Sequence, residues 1–368
     1  MSAIDRATSL LTIDLDAVAA NFRLLKGKLG GRDCAVAVKA DAYGLGAVQV
    51  APALARAGAT TFFTVTLDEA LEIRPLLPKA EIFVLYSVPP GAEAECERHG
   101  FAPVLNTLGD VERWGRFCRQ IGRPLPAALH LDTGMNRLGL APAEAETLVA
   151  EPDRLDGIGL SLVMSHLACA DEPDHALNRL QLSRFQGLSR RLPAARRSLA
   201  NSAGCFLGPD YRFDLGRPGA SLYGLAPLRN QINPMAQPVR LQAKILQVRD
   251  VDTPETVGYG ATHLIAGPRR LATVAAGYAD GYLRRLSSRG VVHLGDRPAN
   301  VVGRVSMDLI TLDVTDLPRD AAVPGAFVDL IGPHNTADDV AAAAGTIGNE
   351  ILTSLGRRYL RRYVGTGA

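Results

Sequence analysis

The chain has 368 residues, 47% of them hydrophobic and 21% charged, a length that suits two domains or one large barrel with an addition. Lys+Arg number 40 against 38 Asp+Glu, a formal net charge of +2, and this balance argues against a sequence-blind grip on nucleic acid. No uninterrupted apolar run reaches the ~18 residues of a membrane helix, and the apolar fraction is too high for disorder.

Asp5 and Arg6 interrupt the N-terminal stretch where a secretory leader would be apolar. The five cysteines (Cys34, Cys96, Cys118, Cys169 and Cys205) are odd in number and form no CxxC pair. Reduced, buried thiols in a cytoplasmic protein, with no metal site, are the expectation.

The clearest helix is predicted over Asp14–Leu29, where Leu15, Val18, Phe22, Leu25 and Leu29 recur at steps of three and four. A short apolar run, Cys34–Lys39, follows and ends in a lysine. Strand-like runs then come at 61–66, 81–86, 102–105, 127–132, 158–165, 198–201 and 212–216. Between them lie helical stretches at Leu67–Leu77, Ala92–His99, Leu108–Ile121, Ala143–Val149 and His175–Leu192, or loops long enough for a turn. Eight strand units, apolar along their length, predict an α/β fold, an N-terminal (β/α)₈ barrel. No GxGxxG follows the first strand, which weakens the open doubly wound alternative.

After Pro234 the texture changes to short β-branched segments at 239–251, 271–276, 291–294, 300–305, 309–314 and 326–331. These predict a mostly β C-terminal domain, 235–368, after a barrel domain, 1–234, with helices returning only near Ala337–Ala344 and Glu350–Leu355. Arg357, Arg358, Arg361 and Arg362 read as a solvated helix face.

Barrel chemistry gathers at the C-terminal strand ends. Lys39, Arg137, His166, Asn201, Ser202 and Arg217 fall there, and Gly219 follows the eighth strand, where barrels commonly hold phosphate. A strand-end lysine facing a phosphate site suggests a Schiff base to a phosphorylated aldehyde such as pyridoxal phosphate, although a lone strand-end lysine is more often a simple ion-pair partner.

The segment Val38-Lys39-Ala40-Asp41-Ala42-Tyr43-Gly44 resembles the cofactor-lysine motif of the alanine racemases. Similar matches follow in order: Leu131–Gly139 (LDTGMNRLG), Ser165–Ala168, Ala200–Ser202, Gly216–Gly219 with Leu222–Gly224, Val257–Gly260, Gly277–Tyr282 and Gly303–Asp308. The resemblance runs from about residue 10 to residue 362. It implies a pyridoxal 5'-phosphate enzyme, a homodimer with shared active sites that interconverts L- and D-alanine by two bases. The product would serve peptidoglycan synthesis, or the enzyme alanine catabolism.

By this resemblance Lys39 binds the cofactor and is one base, and Tyr259 of the partner subunit is the other. Tyr43, Ser202 and the backbone at Gly219 and Ala220 would cradle the phosphate, with Asn201 beside them. Arg217 would face the pyridine nitrogen, and His166, on the cofactor side, would lie with Arg217 next to the catalytic tyrosine. Arg137 and the backbone at Met307 would take the substrate carboxylate, with Tyr278 and Asp308 at the entrance. Three positions depart from the common pattern: His130 replaces a carbamylated lysine, Leu45 a histidine, and Arg357 a tyrosine. His130 cannot supply a negative charge beside Arg137, and a small anion such as chloride is expected there. A racemase of broader range, a decarboxylase on the same plan and a non-catalytic cofactor-binding protein are the alternatives.

Overall fold

The computed structural model describes residues 3–252 and 254–366. They form two compact units, one of residues up to Ala17 with Tyr223–Leu225 and Ala236 onward, the other of Val18–Leu222 and Ala226–Met235.

In the second of these, seven parallel strands lie in sequence order: Val36–Ala37, Thr61–Thr64, Glu81–Val84, Phe101–Leu105, Leu125–His130, Ile158–Met164 and Arg196–Ser198. The ring closes through an eighth segment. Leu215–Gly216 pairs in parallel with Asp33–Cys34, and Ala35 and Ala37 donate N–H to Gly216 and Pro218 carbonyls at 2.9 and 3.0 Å. On its other side Asp214 and Arg217 donate to Arg197 and Ala200 carbonyls at 3.0 and 2.8 Å. This is the (β/α)₈ barrel. Its interior is filled by side chains that include Ala35, Ala37, Phe63, Phe83, Val104, Ala128, Leu162, Met164 and Leu215. Phe63 and Phe83 stack with ring centroids 4.9 Å apart, so small alanines opposite leave room for them.

Turn chemistry starts the helices. Thr66 accepts Glu69 N–H at the head of Leu67–Ile73, and Thr107 accepts Asp110 N–H at the head of Leu108–Gln120. One helix, Ala47–Arg56, lies where no helix was predicted, because Pro52 reads as a breaker. The helix tolerates that proline at the loss of one backbone bond. After Arg196–Ser198 only short 3-10 turns, Ala203–Phe206 and Pro209–Tyr211, replace a full helix.

The other unit is an eight-stranded sheet. Val239–Val251, Arg269–Val274, Val291–Leu294, Arg297–Val301, Ile310–Asp313 and Phe327–Ile331 are antiparallel, and Val239–Val251 also pairs with Arg269–Val274 to close this set on itself. Ser9–Asp14 adds to Val239–Val251, and Leu360–Val364 runs parallel to Ser9–Asp14. The C-terminal arginines are therefore not on a helix: Arg361 and Arg362 sit in that last strand, and Arg357 and Arg358 in the turn before it. Aromatic Tyr363, β-branched Val364 and pairing with Ser9–Asp14 override the arginines' helical propensity. Helices Ala337–Ala344 and Gly348–Thr353 complete the unit.

Candidate active site

Lys39 follows the first barrel strand and opens an unusual turn. Ala40, Asp41, Ala42 and Tyr43 all have left-handed backbone, with φ of 52°, 54°, 51° and 58°. Such a conformation costs about 1–2 kcal/mol per non-glycine residue, so the surroundings must hold it. Ala42 N–H donates to Val38 O, Gly46 N–H to Asp41 O, and Ala47 N–H to Asp41 Oδ1 at 2.7 Å. Ala40 N–H donates to Glu69 Oε1 at 2.8 Å, while Glu69 Oε2 accepts Val65 N–H at 2.7 Å. The turn aims Tyr43 inward, where its side chain is buried.

Tyr43 meets the eighth strand's loop. A Cβ placed on Gly219 would lie 2.3 Å from the Tyr43 hydroxyl, so only glycine allows this approach. Ser202 Oγ accepts the N–H groups of Gly219 (2.9 Å) and Ser221 (3.2 Å), which leaves its own proton free to donate. Ser221 Oγ is buried and has no hydrogen-bond partner among the described residues. Burial pushes the Tyr43 phenol up to about 12, so it is a neutral donor at pH 7. Asn201 serves the loops: its Oδ1 accepts Gly204 N–H and its Nδ2 donates to Leu167 O.

Arg217 is buried across the barrel mouth. Its guanidinium donates to Ser198 Oγ and to Ser165 O, and lies over the Phe63 ring at 5.8 Å. Burial lowers it to about 10, which still leaves it cationic at neutral pH. His166, beside Ser165, is held well below the usual histidine range by burial first, then by the charges of Arg217, Lys39 and Arg137. Its carbonyl accepts Gln181 Nε2 at 2.8 Å. Burial lowers the Lys39 ammonium and Arg137 adds to this, while Glu69 opposes it.

Arg137 is exposed on a loop folded by Asp132 Oδ1, which accepts the N–H groups of Gly134, Met135 and Asn136. His130, at the root of that loop, is pushed down to about 4 by burial, then by Arg217 and Arg137, with Asp132 opposing. The imidazole is neutral at pH 7, which leaves Arg137 without a negative partner there.

The remaining candidates lie in the β unit. Tyr259, 73% exposed, sits on a turn between Gly258 (φ 74°) and Gly260 (φ 73°) and lines a cleft of about 800 Å³ with Arg249, Val257, Arg304 and Ser306. Tyr278 and Met307 are stapled together, since Tyr278 N–H donates to Ser306 O and Ala279 N–H to Met307 O, both at 3.0 Å. Asp308 accepts from Arg358 at 2.6 Å, and the same guanidinium grips buried Asp280 through two bonds of 2.6 and 2.8 Å. Sequence reasoning passed over this clamp, as it did Glu69. The Thr66-x-x-Glu69 spacing shows a helix start but not where the carboxylate reaches.

A parallel barrel with a lysine at a strand end, a cradle of short donors opposite and a strand-rich second unit defines a lysine-bearing barrel enzyme with a β addition. Family models for the alanine racemase N-terminal and C-terminal domains match residues 13–227 and 238–363. The chain belongs to the alanine racemase family. It is 53% identical to the alanine racemase of Rhodospirillum rubrum, over 98% of this chain and 97% of that one. It is 48% identical to the catabolic alanine racemase of Mesorhizobium japonicum, over 98% and 94%. The crystal structure of alanine racemase from Bartonella henselae with covalently bound pyridoxal phosphate superposes with a TM-score of 0.94, at 40% identity, covering 97% of this chain and all of that one.

Proposed function

We propose that this chain is an alanine racemase that interconverts L- and D-alanine, with pyridoxal phosphate bound through Lys39. The observation that carries the site assignment is the convergence of Lys39, Tyr43, Ser202 and Arg217 on one barrel mouth. The residues fit the cofactor. Gly219 keeps open the approach that a Cβ would fill, and Ser221 Oγ is an orphaned buried hydroxyl beside amides gathered on Ser202. Tyr43, Ser202 and the backbone at Gly219 and Ala220 would hold the phosphate, with Asn201 bracing the Ser202 loop, and Arg217 would hold the pyridine nitrogen. Once bound, the cofactor supplies an electron sink for the bond to the α-hydrogen.

The chain's own groups do the rest. Arg217 donates but gives up no proton, so it would hold the ring nitrogen without protonating it. His166 is neutral and adds no charge to a mouth already carrying Arg217 and Arg137. Arg137 offers a fork for the substrate carboxylate, and the Met307 N–H a further donor. Lys39 Nζ holds or takes the proton on one face of the α-carbon. Tyr259 Oη does so on the other, because inversion requires removal from one side and return on the opposite one. Tyr278 and Asp308 frame the entrance.

Tyr259 belongs to the β-rich unit and Lys39 to the barrel unit. In this reading a second copy of the chain supplies Tyr259, a homodimer with shared sites in the cytoplasm, and the exposure of Tyr259 and Met307 supports it. The cell would use the product for peptidoglycan or draw D-alanine into catabolism. The test is incubation with L-alanine in D₂O: D-alanine deuterated at the α-carbon is expected. Its absence from wild-type protein with cofactor bound on Lys39 would overturn the assignment to alanine. Mixing Lys39→Ala and Tyr259→Phe proteins is expected to restore roughly a quarter of wild-type activity through hybrid dimers with one intact site. No recovery from a mixture shown to exchange subunits would overturn site sharing.

A further inference from the structure

Glu69 occupies a place that an equivalent acid uses differently two units on. Asp110, three residues after its capping Thr107, accepts Asn106 N–H with Oδ2 at 3.0 Å and turns Oδ1 to Arg113 of its own helix at 2.6 Å. Glu69, three residues after Thr66, makes the same first contact, to Val65 N–H. Its other oxygen leaves the helix and takes Ala40 N–H, the amide directly after Lys39 and the first of the left-handed turn. A capping acid needs no such bond to start its helix.

On the reading that Lys39 carries the cofactor, we propose that Glu69 is a positioning residue: its carboxylate ties the amide after Lys39 to the end of the neighbouring strand and so fixes the lysine's backbone. Four consecutive left-handed residues tend to relax toward right-handed backbone, and the first of them is where relaxation would swing the lysine. The Glu69 bond closes that route. The same carboxylate opposes the burial and the Arg137 charge that lower the lysine, and His166 is the further titratable group in electrostatic contact with it.

The test uses full-length protein stripped of cofactor and titrated with pyridoxal phosphate. Binding is read by absorbance, by borohydride trapping mapped to Lys39, and by hydrogen exchange at Ala40. Glu69→Gln sets an NH₂ against an N–H and is expected to weaken binding roughly tenfold or more, because the lysine is no longer held in place. It should also speed exchange at Ala40 and move the pH midpoint of trapping downward. Thr66→Ala removes the cap that Glu69 N–H uses at 3.2 Å but spares the Ala40 bond, and is expected to leave all three readouts near wild type. Glu69→Asp keeps the charge but is a methylene short of spanning both amides. It is expected to speed Ala40 exchange with little change in midpoint, and it serves if the glutamine variant does not fold. Unchanged affinity and Ala40 exchange in the Glu69 variants would overturn the proposal, as would equal losses in Thr66→Ala. Wild-type protein that traps no cofactor at Lys39 would instead overturn the site reading beneath it.

Discussion

His130 Nδ1 lies 2.9 Å from Asn106 Oδ1, with both side chains buried. Asn106 Nδ2 already donates to the carbonyls of Leu85 (3.0 Å) and Val104 (2.9 Å), so its oxygen is the acceptor and His130 carries its proton on Nδ1. The tautomer is set by a backbone-anchored amide. With His130 near 4 in the fold and near 6.5 unfolded, the unfolded chain binds more protons between those values. Stability therefore falls as pH drops from about 6.5 toward 4, with a slope of up to about 1.4 kcal/mol per pH unit from this group. His166 acts in the same direction. Urea denaturation at pH 7 and pH 5 checks this, and His130→Gln is expected to remove part of the slope.

Arg137 has no hydrogen bond or ion pair among the described residues, and neutral His130 leaves its charge uncompensated. Chloride is expected to fill that place and to lower KM for alanine relative to a gluconate salt of equal ionic strength. Arg137→Lys loses the two-pronged fork, so KM should rise roughly tenfold or more with a smaller fall in kcat. Initial rates across substrate and salt decide both points.

Gly219→Ala would drive a methyl group to 2.3 Å from the Tyr43 hydroxyl and 3.3 Å from the Ala37 Cβ. Overpacking of this kind costs about 1–3 kcal/mol. The expected result is a lower thermal midpoint and weaker cofactor retention on gel filtration.

Arg358 bridges buried Asp280 and exposed Asp308, and so links the turn bearing Tyr278 to the segment bearing Met307. Arg358→Met leaves Asp280, among the described residues, with the Gly277 N–H alone on its carboxylate, at a cost of about 1–3 kcal/mol. A raised KM at near-normal cofactor affinity is the kinetic outcome expected, measurable by comparing alanine kinetics with a cofactor titration.

Much of this was legible before any coordinates. The barrel strands followed from apolar runs of strand length, and Lys39, Arg217 and Ser202 from their places after those runs. The cradle was legible as glycine and serine at a barrel's usual phosphate loops. Three things were hidden for physical reasons. The left-handed turn uses two alanines, an aspartate and a tyrosine with no glycine among them, so its φ values leave no clear mark, although Gly44 and Gly46 punctuate its end. The helix at Ala47–Arg56 was masked by Pro52. Arg358 looked like one of a solvated cluster, because the two aspartates it grips lie far off in sequence, and side-chain pairing at that range leaves no local period.

The strand Ser9–Asp14 is among the first segments to leave the ribosome, yet both of its neighbours, Val239–Val251 and Leu360–Val364, are among the later ones. It must wait, unpaired, while every barrel strand is made. The barrel can thus mature during synthesis, whereas the eight-stranded sheet of the unit that carries Tyr259 can be sealed only when translation is nearly over. A pause or truncation near the end would strand an exposed apolar edge at Leu10, Leu11 and Ile13, ready to pair with another unfinished chain.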